Sequence, residues 1–179
     1  MFKTVILAII ANIVVNNCVL ENFLGFSHAA SGKCLKCRVR NALVTAVIVF
    51  VTALAAFPIQ NLLYVSGFEY LTVLVLTALA LLLAWIAEKV TGNKGTSYPI
   101  VAVNSAVLGC ALVTAGLGLS FGETAVAAFG TAAGYVLAVV LMAGVESRID
   151  NHYVPKAFRG IPATVLAAAI ISMVLVAFK

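Results

Sequence analysis

Residues 14–27, VVNNCVLENFLGFS, decide how this chain can sit in its surroundings. They follow MFKTVILAIIANI, an apolar run that commits the N-terminus to a lipid bilayer, yet they carry Asn16, Asn17, Glu21 and Asn22 to bilayer depth. An amide or carboxylate there costs roughly a few kcal/mol or more unless protein satisfies it, so such residues are buried against protein and often functional. At about 100° per residue, Asn12 and Asn16 share a helix face, whereas Asn17, Glu21 and Asn22 turn progressively around the cylinder. A straight lipid-facing span is therefore a poor description. Either protein surrounds the segment, or it breaks near Asn16-Asn17 into half-helices whose free ends need those amides.

The rest of the chain agrees with a membrane setting. Of 179 residues, 64% are hydrophobic and 9% charged, too few charges for a water-soluble surface. Six apolar stretches approach the length of roughly 20 residues that a span needs: 4–27, 41–65, 71–90, 99–118, 124–146 and 161–178. The runs lack a strand's alternation, and lipid admits only helices or closed barrels, so the expected fold class is all-α, a polytopic bundle of six transmembrane helices. The short connections leave no room for a soluble domain. Lys3 before an apolar run would suit a cleaved signal peptide, but the run is too long, turns amide-rich and lacks a cleavage site, so it is expected to stay as the first span.

Charge placement orients the bundle. With six spans, the first, third and fifth loops share one side and carry Lys33, Lys36, Arg38, Arg40, Lys89, Lys94, Arg148, Lys156 and Arg159, against Lys3 and Lys179 on the other. That asymmetry puts the basic loops in the cytoplasm and both termini outside, in one orientation rather than two. The formal charge of +5 therefore points to a membrane, with no nucleic-acid partner.

Three spans per half would make any internal duplication an inverted one. Residues 15–20, VNNCVL, match 103–108, VNSAVL, at four of six positions, and the shared Asn is the informative match. A single domain over 1–179 is expected, with repeat halves 1–95 and 96–179 and broken first and fourth spans, the arrangement that builds a midplane site from discontinuous helices. The fourth span supports this with Pro99 at its start, Asn104-Ser105 inside, then Gly109, Gly116 and Gly118. Asn16, Asn17, Glu21 and Asn104 are thus candidates for an ion or solute path.

Other polar residues have plainer roles. Glu88 beside Lys89, and Glu146 with Arg148, sit at span ends and are expected to snorkel. Gly130-x-x-x-Gly134, extended by Ala127 and Ala138, is a helix-packing stripe. Trp85 suits an interfacial anchor, His28 and His152 are expected in solvated loops, and Lys156, Phe158 and Arg159 suit an interfacial turn. Cys34 and Cys37 form a CxxC in a cytoplasmic basic loop, where thiols stay reduced; with only His28 nearby, a zinc site lacks ligands. No Walker loop, GxGxxG, HExxH or GxSxG occurs, so chemistry lies in the membrane or with a partner, and a role as a non-catalytic component of a larger assembly is open.

Four blocks, NNCVLENFLGFS (16–27), VNSAVLG (103–109), FGTAAGYVLAVVLMAGVESR (129–148) and VPKAFRG (154–160), together resemble the membrane subunits of the Rnf and Nqr ion-translocating oxidoreductases, closest to the Rnf A and Nqr E subunits. The resemblance covers essentially the whole chain. It implies six helices with an inverted repeat and half-membrane helices, an oppositely oriented sister subunit, and flavin and iron–sulfur partner subunits in the inner membrane. It also implies a [2Fe-2S] cluster shared with the sister, and electron transfer coupled to Na⁺ or H⁺ movement.

One departure accompanies the match. Where the family carries its cluster cysteines, this chain has Ser27 and Ser105, and a serine alkoxide is a rarer, poorer iron ligand than thiolate. Cys18, nine residues before Ser27, and Cys110, five after Ser105, are the alternative candidates. The serines favour a second function, a stand-alone inverted-repeat transporter of a small polar solute or ion that has lost the redox centre. A third is a scaffold that holds a partner in the membrane.

Overall fold

The computed structural model describes residues 2–15, 17–25, 35–91, 105–116, 118–149, 154–155 and 158–177. In order these form α1 (Phe2–Ile10), a π-helical segment (Ala11–Val15), α2 (Cys18–Asn22), α3 (Leu35–Ser66), a 3-10 turn (Glu69–Leu71), α4 (Thr72–Thr91), α5 (Ser105–Gly116), α6 (Phe121–Arg148) and α7 (Ile161–Val176). No strand occurs among the described residues.

The apolar runs at 41–65 and 124–146 become the two longest helices, of 32 and 28 residues. At about 1.5 Å per residue, α3 and α6 are roughly 48 and 42 Å long, each longer than the ~30 Å hydrocarbon core. Both are apolar enough to cross a membrane. They lie antiparallel, as three contacts along their length fix: Arg38 against Glu146, Phe50 edge-on to Phe129, and Phe57 edge-on to Phe121. α3 starts six residues before the apolar run because its basic first turns are held by this packing: Arg38 is buried, and its Nη2 donates to Glu146 Oε2 at 2.5 Å. Glu146 therefore reaches across to another helix rather than only snorkelling beside Arg148 as its place at a span end suggested.

The core between helices is rich in alanine, with Ala42, Ala46, Ala106 and Ala138 buried around Tyr135, Val139 and Met142. Small residues let backbones approach closely, which matters in lipid because hydrophobicity does not drive helices together there. The Gly130/Gly134 stripe on α6 performs this role against the N-terminal segment. A Cβ added at Gly130 would lie 2.6 Å from Asn12 Cβ, and one at Gly134 would lie 3.2 Å from both Asn17 Nδ2 and Ile13 O.

The remaining elements are shorter. α4 presents Trp85 to the surface with Lys89 Nζ 4.2 Å from its ring centroid, a cation–π pair fitting an interfacial helix end. Before α7 the chain turns through Phe158 N–H donating to Pro155 O and Arg159 Nε donating to Val154 O. Gly160 at φ 80° then starts the helix, with Pro162 in its first turn. Asn16, Ser27, His28, Cys34, Asn104, His152 and Lys156 lie outside the described residues.

Gly130→Ala should lower the stability of the detergent-extracted protein by about 1–3 kcal/mol through overpacking. Gly144→Ala, where an added Cβ meets nothing within 4 Å, should leave it unchanged or slightly raised. Thermal unfolding of both variants checks this.

Candidate functional site

The first segment is interrupted in the middle of the bundle. Ahead of the break, Ala11–Val15 widens into a π-helix, a form found mostly as short insertions at functional places. α2 restarts the helix at Cys18, and Asn17 between them is 1% exposed.

Asn17 supplies what the broken backbone lacks. Its Nδ2 donates to Ile13 O at 2.9 Å, standing in for an amide that a continuous helix would have placed there. The second Nδ2 hydrogen goes to Gly134 O on α6 at 2.8 Å. Its Oδ1 accepts from Val19 N–H at 3.1 Å, and its own carbonyl accepts from Glu21 N–H at 2.8 Å, so Asn17 is the N-cap of α2. At bilayer depth, each of these groups left unmet would cost several kcal/mol. Gly134 is the fourteenth of the 28 residues of α6, so the break faces the midpoint of a membrane-length helix.

Beyond α2 the chain reverses. Phe23 adopts φ 53°, a left-handed conformation costing a non-glycine residue roughly 1–2 kcal/mol, and Gly25 follows at φ 75°. The turn is held from the other half of the chain: Gly25 N–H donates to Ser105 Oγ at 2.9 Å. Ser105 is the first residue of α5, and Leu24 packs against Gly109 one turn further on, where an added Cβ would lie 2.5 Å from Leu24 Cδ1. The turn at Phe23–Gly25 and the start of α5 therefore meet, with Gly25 and Ser105 80 residues apart in sequence.

The proposed site residues take different places around this junction. Asn17 is buried and engaged; Glu21 and Asn22 are exposed on α2, with Phe23 exposed beside them. Cys110 is 1% exposed, packed in an apolar cluster with Val19, Leu20, Ala106 and Val107. Cys18 opens α2. Among the described residues no three Cys, His, Asp or Glu side chains come together as a metal site. Ser105 offers a hydroxyl that already accepts a backbone N–H, and Cys110 is enclosed by apolar side chains. Of the four candidate positions, Ser105 thus supplies a hydroxyl and Cys110 a thiol held among apolar side chains, while Ser27 lies outside the described residues.

A second polar region, not singled out from the sequence, lies at the far end of α3 from Arg38. A cavity of about 320 Å³ is lined by Phe57, Gln60, Asn61, Tyr64, Thr114, Gly118, Leu119 and Thr124. Its signal in the sequence is Gln60-Asn61 within an apolar run, followed one turn later by Tyr64. Further along α3, Asn41 Oδ1 and Thr52 Oγ1 are buried with no hydrogen-bond partner among the described residues, a cost of about 1–3 kcal/mol each.

In sequence, the chain is similar to known proteins over nearly its whole length. The family described as "Rnf-Nqr subunit, membrane protein" matches residues 5–179. The A subunit of the Na⁺-translocating ferredoxin:NAD⁺ oxidoreductase complex of Acetobacterium woodii is 32% identical, over 98% of this chain and 97% of the relative. The A subunit of the ion-translocating oxidoreductase complex of Syntrophotalea carbinolica is 31% identical over 98% and 96%, and that of Alkalilimnicola ehrlichii is 31% identical over 93% and 92%.

Replacing Asn17 by Ala removes the cap and the bridge to α6 together. The expected loss is about 2–4 kcal/mol, against about 1 kcal/mol for Ser105→Ala. Thermal unfolding in detergent, with abundance in membranes as a second reading, measures both.

Proposed function

The chain belongs to the Rnf-Nqr subunit family of membrane proteins, and from that premise we propose that it is the A-type membrane subunit of an ion-translocating oxidoreductase complex. In that complex it helps couple electron transfer to Na⁺ or H⁺ movement, while holding no catalytic group of its own. The observation that carries this reading is the extent of the likeness, which runs through nearly the whole of this chain and of its relatives.

The finer architecture is part of the proposal. The chain is one domain of six spans, an inverted repeat of 1–95 and 96–179, multi-pass in the inner membrane with basic loops cytoplasmic and both termini outside. The antiparallel packing of α3 and α6 supports this, since it brings Arg38 and Glu146, which flank odd-numbered loops, to one end. The break at Asn17 opposite the midpoint of α6, with the start of α5 beside the turn that follows, supports half-membrane first and fourth spans. An oppositely oriented sister subunit is the partner expected to cover the exposed Glu21, Asn22 and Phe23, with flavin and iron–sulfur subunits completing the assembly. Glu21 is the candidate ion or proton group, with Asn16, Asn17 and Asn104 as the further candidates for the path.

Ser27 and Ser105 place hydroxyls where a cluster needs thiolates, so the reading does not depend on a cluster held by this chain. Ser27 and Ser105, with Cys18 and Cys110 as substitutes, are the positions to test. The same hydroxyls favour the second reading, a stand-alone transporter of a small polar solute or ion built on the same scaffold.

Purification from native membranes through a tag on this chain, followed by iron and acid-labile sulfide assay and low-temperature EPR, separates the readings. Co-purifying flavin and iron–sulfur subunits support the complex. An iron-free homodimer that moves a solute in liposomes overturns it. In the complex, Glu21→Gln should impair coupled ion uptake by membrane vesicles while leaving assembly intact; unchanged uptake removes Glu21 from the path.

A further inference from the structure

We propose that the cavity lined by Gln60, Asn61, Tyr64, Thr114 and Thr124 is a binding site for a hydrated monovalent cation. Its place on an ion path rests on the function proposed above; its occupancy does not. Three observations lead there.

The first is size. At about 320 Å³ the cavity has room for on the order of ten waters. A bare ion would rattle in it, whereas an ion that keeps most of its hydration shell fits.

The second is the chemistry of the lining. Beside Phe57 and Leu119 it carries amide, phenol and hydroxyl oxygens, and no cationic side chain among the described residues. A phosphate or carboxylate would find no Lys or Arg to hold it, so an anion or an anionic lipid headgroup is disfavoured. Neutral oxygens hold a cation through its waters with modest affinity, as a site that must release its ion requires.

The third is the field. Thr114 lies in the last turn of α5, and Tyr64 in the last turn of α3, so two helix C-termini with their partial negative charge end at the cavity. The helix N-terminus that also arrives, that of α6, is capped: Glu123 Oε2 accepts from Ser120 N–H at 3.0 Å and from Ser120 Oγ at 2.8 Å. A carboxylate thus offsets the positive dipole end beside the site.

Inward from the cavity, Thr52, Ala56 and Gln60 follow i, i+4, i+8 spacing on α3, with Ala56 buried in an apolar cluster beside Leu76 and Ala111. Thr52 is fully buried, and its hydroxyl has no partner among the described residues.

The test is ²³Na relaxation on the purified complex in detergent, titrated with Na⁺ and competed with Li⁺ and K⁺. Thr114→Val and Thr124→Val remove one oxygen each at nearly constant shape and should weaken Na⁺ several-fold. Gln60→Glu adds a negative charge and should tighten it several-fold, a gain that misfolding cannot mimic. Relaxation that is the same in wild type and all three variants overturns the proposal. So does broadening abolished by detergent or lipid exchange rather than by the variants, which would make the occupant an amphiphile. Na⁺-driven turnover is read in parallel. Binding that responds to the variants in a complex without ion uptake leaves the site standing and sinks the proposed function. Uptake that the variants leave unchanged, with no change in binding, does the reverse.

Discussion

The bundle depends on one side chain that makes a break in a helix tolerable where no water can help. A helix interrupted inside a membrane exposes carbonyls behind the gap and amides ahead of it. Asn17 meets both sets at once, donating backward to Ile13, forward-capping Val19, and tying the gap to α6 through Gly134. A Cβ on residue 134 would lie 3.2–3.3 Å from the same amide and from the Ile13 and Asn12 carbonyls, so glycine is what lets the two segments come this close without either giving way. The glycine stripe and the asparagine are therefore one device, and the small-residue core of α6 follows from it.

A broken helix serves a purpose that an unbroken one would not. It places polar backbone and side chains inside the bundle, opposite the midpoint of α6, and here the exposed Glu21, Asn22 and Phe23 emerge immediately beyond the cap. The left-handed Phe23 and the bond from Gly25 to Ser105 then fix where the turn points. The serine's hydroxyl positions this turn by accepting a hydrogen bond, a structural task that does not require a metal. Arg38 and Glu146 pin α3 to α6 at one end, while the other end of the same pair opens into the polar cavity. Ion-paired at one end and open at the other, the pair is asymmetric along its length.

Much of this is legible in the sequence, and the remainder is not for identifiable reasons. The all-helical class, the two long helices and the packing role of Gly130 and Gly134 follow from composition and spacing, because period and residue size are local properties. That an amide-rich stretch cannot be a plain span is also readable from residues 14–27. The identity of Asn17's partner is not, since nothing near Gly134 distinguishes its carbonyl from any other. The bond between Arg38 and Glu146 is hidden because a count of basic loop residues treats Arg38 as a solvated charge, whereas helix α3 begins early enough to bury it. Gln60 and Asn61 look like ordinary span-end residues; their meaning comes from Thr114 and Thr124, which tertiary packing alone brings to them.

The bond from Asn17 to Gly134 spans 117 residues, and that distance has a consequence for biogenesis. At about 5–20 residues per second, Gly134 leaves the ribosome roughly 6–23 s after Asn17. During that interval the first segment has its cap but not its bridge, and α3 to α5 are made before the helix it must be tied to. The junction at Asn17 therefore closes late, only when α6 arrives, although its first residues are made almost at once.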